Sequence, residues 1–133
     1  MSQELFWLAT TTFLTGLMPL PYVLDRILVR GLMGTMANPS PDAKPQSAWA
    51  VRAQLAHANA IENLCVFAPA VLLVELLGRN TSVAGAACAV YFWARLIHYV
   101  VFSAGVPVIR TVAFLVGWAA TMIVLAVATG VIA

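Results

Sequence analysis

From Thr111 to Ala133 the chain carries no charged side chain at all. A helix rises 1.5 Å per residue, and about 20 apolar residues cross a bilayer's hydrocarbon core, so this run is long enough to span a membrane. Three more stretches resemble it. Leu5 to Leu24 is uncharged, and the regions from Ala48 to about Leu77 and from Ser82 to Ser103 are mostly apolar with a few polar interruptions. A soluble domain hides one such run inside many polar ones, and this chain has too little else. Its 133 residues are 62% hydrophobic and 9% charged, against roughly 45–50% and about 25% in a soluble domain. That composition excludes a water-soluble fold of this size and a disordered chain. Two cysteines are too few for a disulfide-stapled secreted module, and Cys65 and Cys88 both lie in apolar runs, where a thiol serves as a small hydrophobe. A net charge of +2 gives no reason to expect nucleic acid as a partner.

The expected fold class is an all-α membrane protein, a bundle of four transmembrane helices forming one domain over residues 1–133. The helices are expected at about 4–28, 48–77, 82–103 and 107–132. Residues 29–47, with Gly31, Gly34, Pro39, Pro41 and Pro45, read as a loop. Pro19 and Pro21 predict a kink in the first segment. Only Glu4 is charged ahead of that segment, so it lacks the basic front of a cleaved signal peptide and is expected to stay. Arg26, Arg30, Lys44, Arg52 and Arg110 fall at one end of such a bundle and Arg79 alone at the other. By the positive-inside rule the first and third connections face the cytoplasm, with both termini on the far side. Glu75, beside the turn at Gly78 to Thr81, reads as an interfacial, solvated carboxylate.

The second segment is the informative one. At about 100° per residue, Arg52, Asn59, Glu62 and Asn63 share roughly 100° of arc, whereas Gln54 and His57 point elsewhere. Arg95 and His98 on the third segment lie about 60° apart on one face. A charge at membrane depth costs about 2.5–3.5 kcal/mol on insertion scales, so each such group needs a partner, water or a function. Glu62 and Arg95 lie at similar depth and are expected to pair. A structural clamp would explain those two residues. Asn59, Asn63, His98 and Arg110, gathered in the same half, favour a hydrated pocket for a polar or anionic small molecule. Arg110 alone also fits an interfacial anchor that snorkels to lipid phosphate. Trp7, Trp49, Trp93 and Trp118 fit lipid-facing, packing or ligand roles alike, and His57 fits a core, lipid-interface or intersubunit position. Gly85, Ala86, Ala87 and Ala89 are small enough for close helix contact. The fourth segment is expected to carry little chemistry beyond its first turn. A small exporter of lipophilic cations is a further reading, set against it by the amides and arginine around Glu62. Nothing in the sequence has metal-ligand or nucleotide-binding spacing.

The segment Arg52-Ala53-Gln54-Leu55-Ala56-His57-Ala58-Asn59-Ala60-Ile61-Glu62-Asn63 resembles the second-helix signature of the MAPEG superfamily, the membrane-associated proteins in eicosanoid and glutathione metabolism. Three further stretches agree in order. Met36-Ala37-Asn38-Pro39, with Arg30 upstream, resembles that family's first cytoplasmic loop. Ala94-Arg95-Leu96-Ile97-His98 resembles its third-helix motif, and Ile109-Arg110-Thr111 the start of its fourth helix.

The resemblance implies a homotrimer in a bacterial inner membrane, binding glutathione as co-substrate between subunits on the cytoplasmic side. It implies a transferase or peroxidase acting on lipophilic small molecules drawn from the surrounding lipid, with a non-catalytic binding or scaffolding member as the alternative. By that analogy Arg30, Arg52, Asn59, Glu62, Arg95 and His98 hold the tripeptide, whose two carboxylates and one ammonium call for several cations and an anion. Arg110 stabilises the thiolate, and the Thr111 hydroxyl donates to the sulfur. The sequence departs from many enzymatic members twice. Leu55 stands where they carry an arginine and Phe102 where they carry a tyrosine, each losing a hydrogen bond to the ligand.

Overall fold

The computed structural model describes residues 1–132 as five helices, with no strand among the described residues. They are α1 (Gln3–Leu17), α2 (Pro19–Met36), α3 (Ala48–Leu76), α4 (Ser82–Ala104) and α5 (Pro107–Thr129). Four segments are long and apolar enough to cross a membrane, α1 and α2 together making the first. The helix breaks at Met18, between α1 and α2, next to the prolines where a kink is expected, and the backbone leaves helical geometry further on, at Gly31. Neither proline can donate a backbone N–H, so carbonyls of the preceding turn lose their usual partners. Tyr99 on α4 reaches across and donates its hydroxyl to the Met18 carbonyl at 2.8 Å.

The first segment runs further than its sequence suggests. Instead of giving way to loop near residue 28, helix continues to Met36, and the irregular connection is confined to residues 37–47. Gly31 accounts for the misreading, because it interrupts the helix at φ 70° without ending it. At about 1.5 Å per residue the 29 residues of α3 are longer than a bilayer core is thick.

The chain folds as an antiparallel bundle. Arg52 Nε donates to the Ser103 carbonyl at 2.9 Å at one end, and Arg79 Nη1 to the Ala128 carbonyl at 2.7 Å at the other. The core is built from small residues at helical spacing: Ala50, Ala53, Ala56 and Ala60 on α3, Ala84, Ala87, Cys88 and Ala94 on α4, and Ala113, Gly117, Ala120 and Ala128 on α5. Lipid tails are as apolar as leucine, so association within a bilayer depends on close backbone approach rather than on burying large side chains. Phe67 and Tyr91 add one stacked aromatic pair, 3.6 Å between centroids. Leu28, Phe13, Leu24 and Val108 lie largely exposed on the outside, where a membrane protein meets lipid.

Polar ties hold the two ends. Glu75 is less solvated than its place in the sequence implied: it is half-buried and accepts from the Ser2 hydroxyl at 2.7 Å and Asn80 Nδ2 at 2.8 Å. Glu4 accepts from the Thr81 N–H at 3.1 Å, tying α1 to the start of α4. At the opposite end Asp25 is buried and accepts from the Ser47 N–H at 3.1 Å, the Ser47 hydroxyl and Gln46 Nε2. Gln46 also bridges the Tyr22 carbonyl, Arg26 and Gln54. Asp25 thereby fixes where the connecting segment meets α3. Asp25→Ala leaves these donors without their acceptor, and thermal unfolding in detergent is expected to shift down by several degrees, with faster hydrogen exchange over residues 37–47. Unchanged exchange there would show that the carboxylate does not hold the connection.

Candidate functional site

Arg95 is the largest fully buried side chain, with 2% of its surface exposed. It sits on α4, more than two turns from the helix's end, at a depth where a lone charge is costly. The expected pairing with Glu62 is not formed. Nη1 instead donates to Asn59 Oδ1 at 3.2 Å, and Nη2 lies 3.5 and 3.4 Å from the carbonyls of Ala113 and Phe114 on α5. The Tyr91 and Phe114 rings flank the guanidinium at 5.7 and 5.6 Å. Its Nε finds no acceptor. Glu62 lies one turn along α3 from Asn59 and is exposed. Pairing there would dehydrate the carboxylate at a cost of several kcal/mol, whereas an amide and backbone carbonyls supply acceptors already inside the protein.

Asn59 is the junction of this arrangement. Its Oδ1 accepts from Arg95 and also, at 3.3 Å, from Asn63 Nδ2, which bonds the Asn59 carbonyl at 2.8 Å as well. Two donors converging on one oxygen fix the orientation of the carboxamide. The Asn59 NH2 is left as the group available to the outside.

What lies outside is a cleft of about 280 Å³ between α3 and α5, lined by Asn59, Glu62 and Asn63 on one wall and Phe114, Trp118 and Thr121 on the other. One wall offers an acid and two amides; the other is largely aromatic. The last helix thus contributes well beyond its first turn, contrary to expectation. An uncharged helix gave no sign of this, because an aromatic cleft wall and an aromatic lipid face look the same in sequence.

His98 is buried one turn beyond Arg95, with its ring 5.5 Å from Phe102 and 6.5 Å from Phe114. Arg110, on the first turn of α5, lies 4.4 Å above the Phe102 ring. Asn59, Arg95, Phe114, His98, Phe102 and Arg110 therefore form one continuous chain of contacts toward the basic end. Three other expected residues stand apart from it. Arg30 Nε donates to the Lys44 carbonyl at 2.7 Å, in the connecting segment. Arg52 is engaged at the α4–α5 turn, as described above, and Thr111 is exposed and bonds the Pro107 carbonyl at 3.1 Å within its own helix. A second polar contact escaped the sequence reading: the Tyr22 hydroxyl and His57 Nδ1 lie 2.9 Å apart, joining α2 to α3. His57, off the polar stripe, gave the only hint of it.

The fold and cleft define a class, a multi-pass helical membrane protein with a polar site opening through the wall of its bundle. Within that class the chain belongs to the MAPEG family, whose family model matches residues 5–130. No curated protein and no solved structure matches it.

The site makes an unusual prediction about stability. Asn59→Ala strands the Arg95 guanidinium without its side-chain acceptor and is expected to cost about 1–3 kcal/mol. Arg95→Met removes the buried charge while keeping much of the volume, and is expected to cost less than Asn59→Ala or to stabilise. Thermal unfolding of both variants in the same detergent gives the order, and the reverse order would mean that Asn59 is not the anchor of the guanidinium.

Proposed function

We propose that this protein is a membrane-bound glutathione transferase or peroxidase acting on lipophilic electrophiles. The observation that carries the proposal is the α3–α5 cleft, with an exposed acid and oriented amides on one wall and a buried arginine behind them that lacks a carboxylate partner among the described residues. Glutathione presents two carboxylates, an ammonium and two amides. Glu62 suits the ammonium, and the Asn59 NH2 suits a carboxylate or peptide carbonyl. Arg95 supports Asn59 from behind, and His98 lies beside Phe114 of the facing wall. Arg30 and Arg52 bond elsewhere within the single chain, and their role in binding requires the site to be completed in an assembly. A trimer in a bacterial inner membrane, with the cleft toward the cytoplasm and both termini opposite, supplies that arrangement.

Arg110 holds the chemical role. A cation beside a thiol favours loss of its proton to solvent, and the thiolate is the attacking species. With an aryl halide, sulfur forms the new C–S bond and halide departs. With a lipid hydroperoxide, the O–O bond breaks and two glutathione molecules become one disulfide, yielding alcohol and water. Thr111 can donate to the sulfur once its hydroxyl leaves the Pro107 carbonyl. The aromatic wall and the lipid-exposed flank suit an electrophile dissolved in the bilayer.

The seat of Arg110 on the Phe102 ring favours one alternative, a member that binds its ligand without turnover. A guanidinium resting on an aromatic face gains about 0.5–2 kcal/mol there and must give some of it up to meet a thiolate. Leu55, exposed on the same helix as Asn59 and Glu62, offers no compensating charge. Titration calorimetry in detergent and a chlorodinitrobenzene assay separate these readings. Glu62→Gln is expected to weaken glutathione about ten- to hundredfold while the folded oligomer persists, since one charged hydrogen bond is worth about 1.5–3 kcal/mol. No binding heat with wild type at millimolar glutathione would end the glutathione reading. Arg110→Ala is expected to lower kcat by at least about tenfold with a smaller change in KM. An equal rate in both proteins removes Arg110 from catalysis, and binding without product in wild type establishes the non-catalytic alternative.

A further inference from the structure

Gly117 lies on α5 directly against the Arg95 guanidinium. A Cβ placed there would stand 2.9 Å from Nη2 of Arg95, closer than real carbon contacts come, and a tight 3.0 Å from Nε. The same Nε is the buried nitrogen without an acceptor, so the guanidinium lies against α5 without being bonded at every edge. Gly117 has ordinary helical geometry and needs no backbone freedom that only glycine provides. Its lack of a side chain is therefore a matter of space.

We propose that Gly117 is a positioning residue for the cleft, acting through Arg95 on Asn59. The chain of contact is short: the space at Gly117 admits the guanidinium, Nη1 holds Asn59 Oδ1, and that bond presents the Asn59 NH2 to the cleft. An added methyl group has one easy relief, which is movement of the flexible end of Arg95. Arg95 is enclosed by Tyr91, Phe114 and the α5 backbone, so that movement comes at the Asn59 bond, already long at 3.2 Å. One methyl group two residues removed from any ligand would thus undo the orientation of the amide that faces it. The helix itself gains from the change, because alanine is the better helix former. That gain offsets only part of the cost of the displaced guanidinium.

The consequence for ligand affinity rests on the glutathione reading above, but the relay does not, and two measurements keep them separable. The first needs no ligand: in protein labelled with ¹⁵N at asparagine, the Asn59 side-chain resonances, identified by their loss in Asn59→Ala, are compared in wild type and variants. Gly117→Ala is expected to shift or broaden them. Gly16→Ala is the control, since a Cβ at that helical glycine meets nothing within 4 Å, and it is expected to leave them unchanged. Unmoved Asn59 resonances in Gly117→Ala overturn the relay whether or not glutathione binds. The second measurement is calorimetry. Gly117→Ala is expected to weaken glutathione about tenfold with a smaller fall in unfolding temperature than Asn59→Ala causes, and the same substitution in an Arg95→Gln background is expected to add no further loss of affinity. Equal losses in both backgrounds would show that Gly117 acts on the cleft by some other route. If Gly117→Ala is not recovered folded, the Gly117→Ala, Arg95→Gln pair is expected to restore folding by shortening the crowded side chain, and failure of that rescue overturns the proposal.

Discussion

A guanidinium held inside a bilayer-spanning bundle without an acid beside it organises most of this molecule. Its cost constrains its surroundings: Asn59 must present an oxygen, α5 must bring two carbonyls near, Tyr91 and Phe114 must flank it, and Gly117 must stay out of the way. Elements from three helices are thereby held in register around a single side chain. Burying a charge without a countercharge is a poor way to gain stability. Its persistence makes physical sense where the unused electrostatic potential serves an anionic ligand, and the membrane-transferase reading assigns it that use.

Much of the architecture was legible because a bilayer leaves so few choices. Backbone groups in hydrocarbon must bond within their own segment, so long apolar runs become helices and their number follows from composition. The prolines at 19 and 21 marked the break at Met18 for a local reason, the two backbone donors they lack. Gly31 misled because a glycine can interrupt a helix without ending it, and sequence alone does not separate the two outcomes. The site was legible in membership more than in connection. The arc shared by Asn59, Glu62 and Asn63 is a property of one helix, and the cleft preserves it. The partner chosen by Arg95 depended on how far α5 approaches α4 and on which groups retain access to water. Glu62 retains it, and Asn59 does not need it.

Asp25, Gln46, Ser47 and Tyr22 show the converse case. None belongs to an apolar-face pattern, and their roles emerge only when the connecting segment folds back onto the start of α3. Sequence periodicity reports on faces of regular helices and has little to say about where an irregular strand of chain returns. The two ends of the bundle are therefore tied by residues that look unremarkable in sequence, whereas its middle is governed by residues that stand out in it.

The joint at Met18 has a consequence for how the protein is made. Its carbonyl keeps the Tyr22 N–H as helical partner, since neither proline lies four residues on, and gains a second donor in Tyr99, a residue synthesised long after the first segment. When α4 comes alongside, it is the Tyr99 hydroxyl that needs this oxygen, because hydrocarbon offers a phenol no acceptor. The first segment thus carries an acceptor at its joint before the third crossing arrives to use it. Order of insertion and order of folding are separate events in this chain, and a single phenolic hydroxyl connects them.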